Sequence, residues 1–332
     1  MNNIFKKLIG NEHLKSLLTN DIVNRTVNHA YVIEGDSGSG RHTVAAEMIS
    51  ALACTGSKEA VPCGTCPNCK KIAEGMFADI YTLNKSDAAT VSVDSVRKML
   101  ETVNYSPNED SDYKFYIIED GEKMTTGAQN ALLLTLEEPP EYAVFFILCT
   151  DSAALLETVR SRAVTLKTER FSPSFVLEHL KNDKKLKGTA EDKLKIAASL
   201  SGGSLGFAKE LCSAKSKYTK LFEDASVFTE NLCKRKGSEN LLLMTQSKLT
   251  RAEYADFFKL VLYALRDLIA YKNGADELIF YTSRDNAAAL CAGITLSQLF
   301  RLYDAVTAAC DDITASNANI TLVITHLVSL SL

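Results

Sequence analysis

The chain has 332 residues, a formal net charge of −4 and a hydrophobic fraction of 46%. These values exclude a chain that is disordered throughout, and they exclude a uniformly basic nucleic-acid-binding protein, which needs a strong excess of Lys and Arg. At about 100–200 residues per domain, the length predicts two or three domains. No apolar stretch reaches the roughly 20 residues that cross a bilayer, and the N-terminus lacks a signal-peptide core, so we expect a cytoplasmic protein with no membrane segment.

The first half of the chain has the pattern of a parallel α/β sheet. Buried strands are predicted at 30–34, 115–118 and 144–149, because each is a short and continuous apolar run. Helices are predicted at about 41–53 and at 128–136, the second ending before two consecutive prolines. Strands that are separated by helical segments imply crossover connections within a parallel sheet.

From about residue 167 onwards the pattern is helical. Short leucine-containing helices are predicted up to about residue 212, with a break at 202–204 and a polar linker near 212–216. In the remainder, Thr295 and Gln298 have the spacing of a capping box at the start of a helix. The sequence therefore predicts three domains, at 1–166, 167–212 and 213–332.

A glycine-rich loop follows the first predicted strand, with the spacing of a P-loop, whose backbone N–H groups bind phosphate at a helix N-terminus. Arg41 replaces the Lys that reaches the phosphates, and His42 replaces the hydroxyl that binds Mg²⁺. The backbone part of the motif is therefore present and the side-chain part is not. The candidate nucleotide-binding residues are Gly35, Gly38, Gly40, Arg41, His42 and Thr43.

A second part of the candidate nucleotide site follows the strand at 115–118. Glu119 and Asp120 stand where a Walker B pair would be, but in reversed order, so neither carboxylate has the usual reach. A misplacement of ~1 Å can cost about 100-fold in rate. The sequence favours a P-loop fold that hydrolyses ATP slowly or not at all over an ordinary strand–helix turn or a competent ATPase. Whether ATP or ADP still binds is left open.

Four of the nine cysteines lie within sixteen residues, at Cys54, Cys63, Cys66 and Cys69. Four thiolates form a closed tetrahedral set for Zn²⁺, and closed sets are structural rather than catalytic. Reduced thiols without metal are the alternative, since the spacing does not suit an iron–sulfur run and a reducing compartment disfavours disulfides. The other five cysteines lie among apolar or helical neighbours and are predicted to be core residues.

These motifs resemble those of AAA+ subunits of the bacterial DNA polymerase III clamp loader, and most of all the delta-prime type. The glycine-rich loop, the cysteine cluster and the segments at 9–12 and 29–31 contribute to the resemblance. The run at 128–140 is close to the N-A-L-L-K-T-L-E-E-P-P signature, and 159–162 resembles the S-R-C segment. The motor relative, gamma/tau, would carry an intact G-K-[ST] and a D-E Walker B, which this chain lacks.

The resemblance implies a RecA-like P-loop AAA+ module with a zinc knuckle inserted at 54–69, then a small helical lid and an all-α collar. It implies a non-hydrolysing ring subunit, in a heteropentamer with motor (gamma/tau) and delta subunits, that supports loading of the sliding clamp onto primed DNA. Arg162 would be an arginine finger directed at a neighbour's ATP, and Thr150 would take the sensor 1 position.

Two alternatives stay open. Arg162 can instead be a surface residue that pairs with a local carboxylate such as Glu157. The chain as a whole can instead be an ATP-hydrolysing motor of the gamma/tau type.

Overall fold

A computed structural model describes residues 4–56, 61–83, 90–213, 217–247, 249–275, 278–281, 283–315 and 318–329. The described chain divides between Arg170 and Phe171 into two compact units. The further division into three domains, with boundaries at 166 and 212, stays a prediction.

The first unit alternates strands and helices. Its strands are β1 (Ala30–Glu34), β2 (Ile80–Leu83), β3 (Lys114–Ile118), β4 (Ala143–Cys149) and β5 (Val164–Lys167). Its helices are α1 (Glu12–Asn24), α2 (Arg41–Leu52), α3 (Pro67–Ala73), α4 (Val93–Glu101), α5 (Thr126–Glu137) and α6 (Glu157–Arg160).

The five strands form one sheet in the order β2-β3-β4-β1-β5. All four neighbouring pairs are parallel; β1, for example, pairs Val32 with Ile147 of β4 and with Thr165 of β5. The predicted parallel α/β architecture is therefore confirmed. Since the carboxyl ends of parallel strands share one edge of the sheet, the loops after β1, β3 and β4 meet there.

Alternating residues of the strands fill two cores, one on each face of the sheet. Tyr31 and Phe146 stack at 5.8 Å on the face that α1 and α2 cover. Tyr116 and Phe145 stack at 4.9 Å on the face that α4 and α5 cover. Helices on both faces explain why β1, β3 and β4 read as continuous apolar runs.

A buried ion pair fixes the loop between α4 and β3. Asp79 is 0% exposed and accepts hydrogen bonds from the backbone N–H groups of Asn108 and Glu109, both at 2.7 Å. Its other oxygen accepts from the Asn108 amide at 2.9 Å and lies 3.9 Å from Lys114 Nζ. Lys114, 1% exposed, also donates to the carbonyls of Thr102 (3.2 Å) and Tyr105 (3.1 Å).

In its described part the second unit is built from helices. These are α7 (Pro173–Asn182), α8 (Glu191–Leu200), α9 (Leu205–Cys212), α10 (Lys217–Cys233), α11 (Gly237–Ser247), α12 (Arg251–Lys272), α13 (Arg284–Cys291), α14 (Leu296–Ala315) and α15 (Ile320–Ser329). The predicted helical C-terminal part is confirmed. The linker predicted near 212–216 falls largely outside the described residues.

Capping and burial account for several features of this unit. The predicted capping box is present at the start of α14, where Thr295 N–H donates to Gln298 Oε1 at 2.8 Å and Gln298 N–H donates back to Thr295 Oγ1 at 3.3 Å. Phe257 and Phe258 of α12 pack edge-on against Phe228 of α10. The five cysteines outside the cluster are buried, as predicted: Cys149 in the first unit, and Cys212, Cys233, Cys291 and Cys310 in this one. Within the described ranges, no helix combines the length and apolar composition needed to cross a membrane.

Candidate nucleotide and metal sites

The glycine-rich loop connects β1 to α2 at the carboxyl edge of the sheet. Gly38 and Gly40 have φ angles of 75° and 104°, which glycine adopts without strain. Ser39 N–H donates to Asp36 O at 3.1 Å, and α2 begins at Arg41. The loop thus has the strand–loop–helix setting in which a helix N-terminus can bind an anion.

The two residues that replace the usual Lys and hydroxyl lie in different environments. Arg41 is 7% exposed, and its Nη1 is buried with no hydrogen-bond partner among the described residues. His42 is more exposed, and its Nδ1 lies 3.8 Å from Glu119 Oε1. A hydroxyl and a carboxylate would hold Mg²⁺ at the corresponding place in a P-loop ATPase. Here an imidazole faces a carboxylate, a pair far less suited to Mg²⁺, which prefers oxygen ligands.

The remaining predicted residues at this edge bond to neighbouring side chains. Asp120 has φ 50° and pairs with Lys123 at 2.9 Å. The Thr150 hydroxyl donates to Glu122 Oε1 at 2.7 Å. Thr43 lies in the first turn of α2, half-buried. The structure therefore gathers the predicted loop, Walker B and sensor positions at one edge of the sheet.

A segment that the sequence did not single out lies against the glycine-rich loop. We call residues 167–170, which end β5 and follow it, the strap. Each strap residue contacts a different residue of the loop, of the end of β1 or of the segment before α1. The pairs are Lys167 with Glu34, Thr168 with Ser39, Glu169 with Asn11, and Arg170 with Asp36.

Arg162, the predicted arginine finger, follows α6. Its Nη2 lies 2.6 Å from Glu137 Oε1 at the end of α5, and its Nη1 donates to Thr158 O at 2.9 Å. The Arg162 side chain is 33% exposed. A local carboxylate does pair with it, as the alternative proposed, but the carboxylate is Glu137 and not Glu157. The finger role itself stays a prediction.

The four clustered cysteines converge. All four Sγ atoms lie within 4.8 Å of one another, between the end of α2 and the start of α3. A tetrahedral Zn²⁺ with Zn–S bonds near 2.3 Å needs sulfur atoms about 3.8 Å apart. Gly56 permits the approach, because a Cβ there would lie 2.9 Å from Cys63 Sγ. The residues present therefore fit a Cys₄ zinc site.

Backbone N–H groups surround the sulfur atoms, and they favour the thiolate form. Cys66 N–H donates to Cys63 Sγ at 3.3 Å, and Cys69 N–H donates to Cys66 Sγ at 3.4 Å. Hydrogen bonds from the Thr65 hydroxyl and backbone, and from Cys66 N–H, lower the pKa of Cys63 to about 5. Burial instead raises the pKa of Cys69 to about 12. A bound cation would favour the thiolate form of this more buried cysteine.

Asn68 fastens the cysteine cluster to the rest of the unit. It is 3% exposed, and its amide Nδ2 donates to Ala53 O at 2.8 Å and to Asp110 O at 2.6 Å. Ala53 follows α2, and Asp110 belongs to the loop before β3. A single side chain thus bridges the cluster to two separate segments.

Sequence reasoning missed Glu137 as the partner of Arg162, Glu122 as the partner of Thr150, and the strap. Glu137 lies in the 128–140 signature, so the sequence marked this residue. The motif does not indicate, however, which side chain Glu137 contacts. The strap has no motif, and its contacts span 129 to 158 positions of sequence.

Comparison with known proteins finds one family model and several curated relatives, each of which matches part of the chain. Residues 10–172 match the family model described as "DNA polymerase III, delta subunit". The "DNA polymerase III subunit tau/gamma" of Haemophilus influenzae is 33% identical over 176 residues, which cover 53% of this chain and 25% of that protein. The "DNA polymerase III subunit gamma" of Buchnera aphidicola is 30% identical over 209 residues, covering 62% of this chain and 57% of that protein. The chain therefore spans less than two thirds of the length of these curated relatives.

One solved structure is similar along most of the chain. A gamma subunit-related protein from Thermotoga maritima superposes with a TM-score of 0.50 and 18% identity, covering 96% of this chain and 98% of the other. At that identity the likeness bears on the fold alone.

Proposed function

We propose that this chain, whose residues 10–172 match the family model described as "DNA polymerase III, delta subunit", is a subunit of the DNA polymerase III clamp loader. The match of residues 10–172, which include all five strands of the sheet, to that family model carries the proposal. The phosphate-loop setting and the four converging cysteines, both quoted for the resemblance, support it. In this role the chain works in the cytoplasm as part of a hetero-oligomer.

Our proposal for the chain's own site is that it does not hydrolyse ATP, as in a delta-prime-type subunit. The pairing of His42 with Glu119 supports this, because it puts an imidazole where Mg²⁺ would need an oxygen ligand. The burial of Arg41 supports it as well, since a buried planar guanidinium is no substitute for the compact Lys ammonium. Binding of ATP or ADP without turnover is compatible with this role, because the glycine backbone remains.

The second candidate function is an ATP-hydrolysing motor of the gamma/tau type. The names of the curated relatives favour it over the delta-prime type, since those proteins are called tau, gamma or tau/gamma. Arg41, His42, Glu119 and Asp120 are the residues that argue against it. Phosphate release by the chain alone distinguishes the two candidates.

In the assembly we propose, Arg162 acts on the nucleotide of a neighbouring motor subunit. An Arg in that position stabilises charge on the transferred phosphoryl group, because its guanidinium group stays charged and can bind two phosphate oxygens at once. Glu137, which pairs with Arg162 in the chain alone, is the group with which that phosphate would compete. The partners are the motor and delta subunits, and through them the sliding clamp and primed DNA.

We propose a structural role for the cysteine cluster. Cys54, Cys63, Cys66 and Cys69 would hold Zn²⁺, which when bound supplies four metal–thiolate links and no open position for chemistry. Asn68 then links the closed cluster, through its two hydrogen bonds, to the end of α2 and to the loop before β3.

The test of the proposed function begins with a pull-down of the tagged chain from its native cells, with the partners identified by mass. Recovery of motor and delta subunits is the expected result, and their absence from a stable complex would overturn the proposal.

Phosphate release is then measured for the chain alone and for the assembly. We expect no appreciable release from the chain alone. A rate typical of motor ATPases that Gly40→Val abolishes would instead establish the gamma/tau-type motor.

A further inference from the structure

We propose that the strap, residues 167–170, holds the glycine-rich loop in one conformation that does not depend on a bound phosphate compound. Thr168 and Arg170 are the positioning residues in this arrangement. The inference goes beyond the proposed function and does not depend on it, because it concerns the chain alone.

The closest contact is made by Thr168. Its N–H donates to Glu34 O at 2.9 Å, and its hydroxyl donates to Ser39 Oγ at 2.8 Å. A Cβ on Gly35 would lie 1.9 Å from Thr168 Oγ1 and 2.5 Å from Ser39 Oγ. The strap thus packs directly against the first glycine of the loop, and Ser39, 7% exposed, has its hydroxyl bonded to the strap. Loss of the Thr168 hydroxyl would remove the partner of a buried polar group, which is costly.

Arg170 holds the loop at a second point. Its Nε lies 2.6 Å from Asp36 Oδ2, and its Nη2 donates to Asp36 Oδ1 at 3.0 Å, so the fork binds both carboxylate oxygens. An exposed single contact would add little, but a bidentate pair also fixes geometry. Asp36 is the residue directly after Gly35, and its carbonyl accepts from Ser39 N–H.

The two remaining strap residues, one before Thr168 and one between Thr168 and Arg170, make further contacts. Lys167 lies 3.0 Å from Glu34 Oε1. Glu169 forms a reciprocal pair with Asn11, in which Glu169 N–H donates to Asn11 Oδ1 at 2.7 Å and Asn11 N–H donates to Glu169 Oε2 at 2.8 Å. Four consecutive residues therefore connect β5 to the loop, to the end of β1 and to the residue before α1.

A loop that is held in this way has already lost most of its conformational freedom on folding. A ligand that orders a mobile loop must offset the conformational entropy that the loop loses on binding. Such binding greatly increases the protection of the loop's backbone amides from hydrogen exchange. For this loop we expect high protection of residues 35–41 without ligand and little change when a nucleotide is added.

The experiment is hydrogen–deuterium exchange of the full chain, followed by mass spectrometry of peptides that cover residues 35–41. The variants are Thr168→Val, which keeps the side-chain shape and removes the hydroxyl, and Arg170→Ala, which changes an exposed residue and should not impair folding. Thr165→Val is the matched control, because Thr165 is an exposed residue of β5 three positions before Thr168. We expect Thr168→Val to speed exchange in 35–41 by about tenfold and Arg170→Ala, which removes an exposed pair, by about twofold to fivefold, and the control to leave it unchanged.

Two results would overturn the inference. One is equal exchange of 35–41 in both strap variants and in Thr165→Val. The other is a large protection of 35–41 in the unmodified chain when millimolar Mg-ATP or Mg-ADP is added, since the nucleotide would then shape the loop. Neither result bears on clamp-loader membership, which the pull-down decides separately.

Discussion

Replacement of Asp79 by Ala should destabilise the first unit more than most single substitutions. The change removes the acceptor of three hydrogen bonds from Asn108 and Glu109 and leaves the Lys114 ammonium, 1% exposed, without its carboxylate. Breaking a buried pair by removing one partner costs about 3–5 kcal/mol. For a unit of this size we expect a drop in melting temperature of about 6–20 °C, at 2–4 °C per kcal/mol.

Differential scanning calorimetry of the full chain measures this effect. Asp94→Ala, at an exposed position of α4, is the matched control and should change the melting temperature by little. The double variant Asp79→Ala, Lys114→Met should recover about 1–3 kcal/mol relative to the sum of the single changes, because no unpaired charge remains buried. A loss below about 1 kcal/mol in Asp79→Ala, or strict additivity in the double variant, would refute the reasoning.

Three further predictions concern the candidate sites. Protein purified without added zinc should contain about one equivalent of Zn²⁺ by plasma mass spectrometry. Cys66→Ser should loosen the 54–69 loop, because metal binding contributes to its folding. Iron in place of zinc, or four titratable thiols without metal, would contradict the zinc assignment. Arg162→Ala should leave the assembly intact but lower its clamp- and DNA-stimulated ATP turnover, and arginine fingers in other systems contribute a factor of ~10³–10⁵. Arg160→Ala is the control. Normal ATP turnover and normal clamp loading by the Arg162→Ala assembly would contradict the finger role. Burial alone would raise the pKa of Glu34, but bonds from Ser152 and Lys167 hold it below its usual value. The carboxylate therefore stabilises the fold above its unfolded pKa of about 4.3, and this contribution is lost as pH falls through the lower folded value. The stability difference between the unmodified chain and Glu34→Gln should shrink on acidification in urea titrations at several pH values, and a constant difference would contradict the assignment.

The sequence allowed the central strands to be predicted but not the outer ones. β1, β3 and β4 are covered on both faces and are continuous apolar runs, which is a direct signal of burial. β2 lies at one edge of the sheet and is half-buried throughout, and β5 lies at the other edge with one fully buried residue, Leu166. Four-residue strands with such mixed burial have no distinct sequence pattern.

The same limit applies to the candidate sites. Positions within one motif, such as Arg41 and His42 or the four cysteines, follow from spacing along the chain. The partner of Arg162 does not, because Glu137 and Glu157 both carry a carboxylate and only the fold decides which of them lies beside Arg162. Likewise, the pairing of Arg170 with Asp36 joins segments 134 positions apart.

The two hydrogen bonds of Asn68 bear on whether the cysteine-containing loop is a detachable insertion. An amide group has two N–H donors, and here both are bonded to carbonyl groups of segments that lie outside the loop. A shortened chain that joins Ala53 directly to β2 would lack Asn68 and leave the carbonyls of Ala53 and Asp110 without these donors. The cysteine-containing loop is therefore joined by hydrogen bonds to the rest of the unit, and its deletion would destabilise the segment that leads into β3.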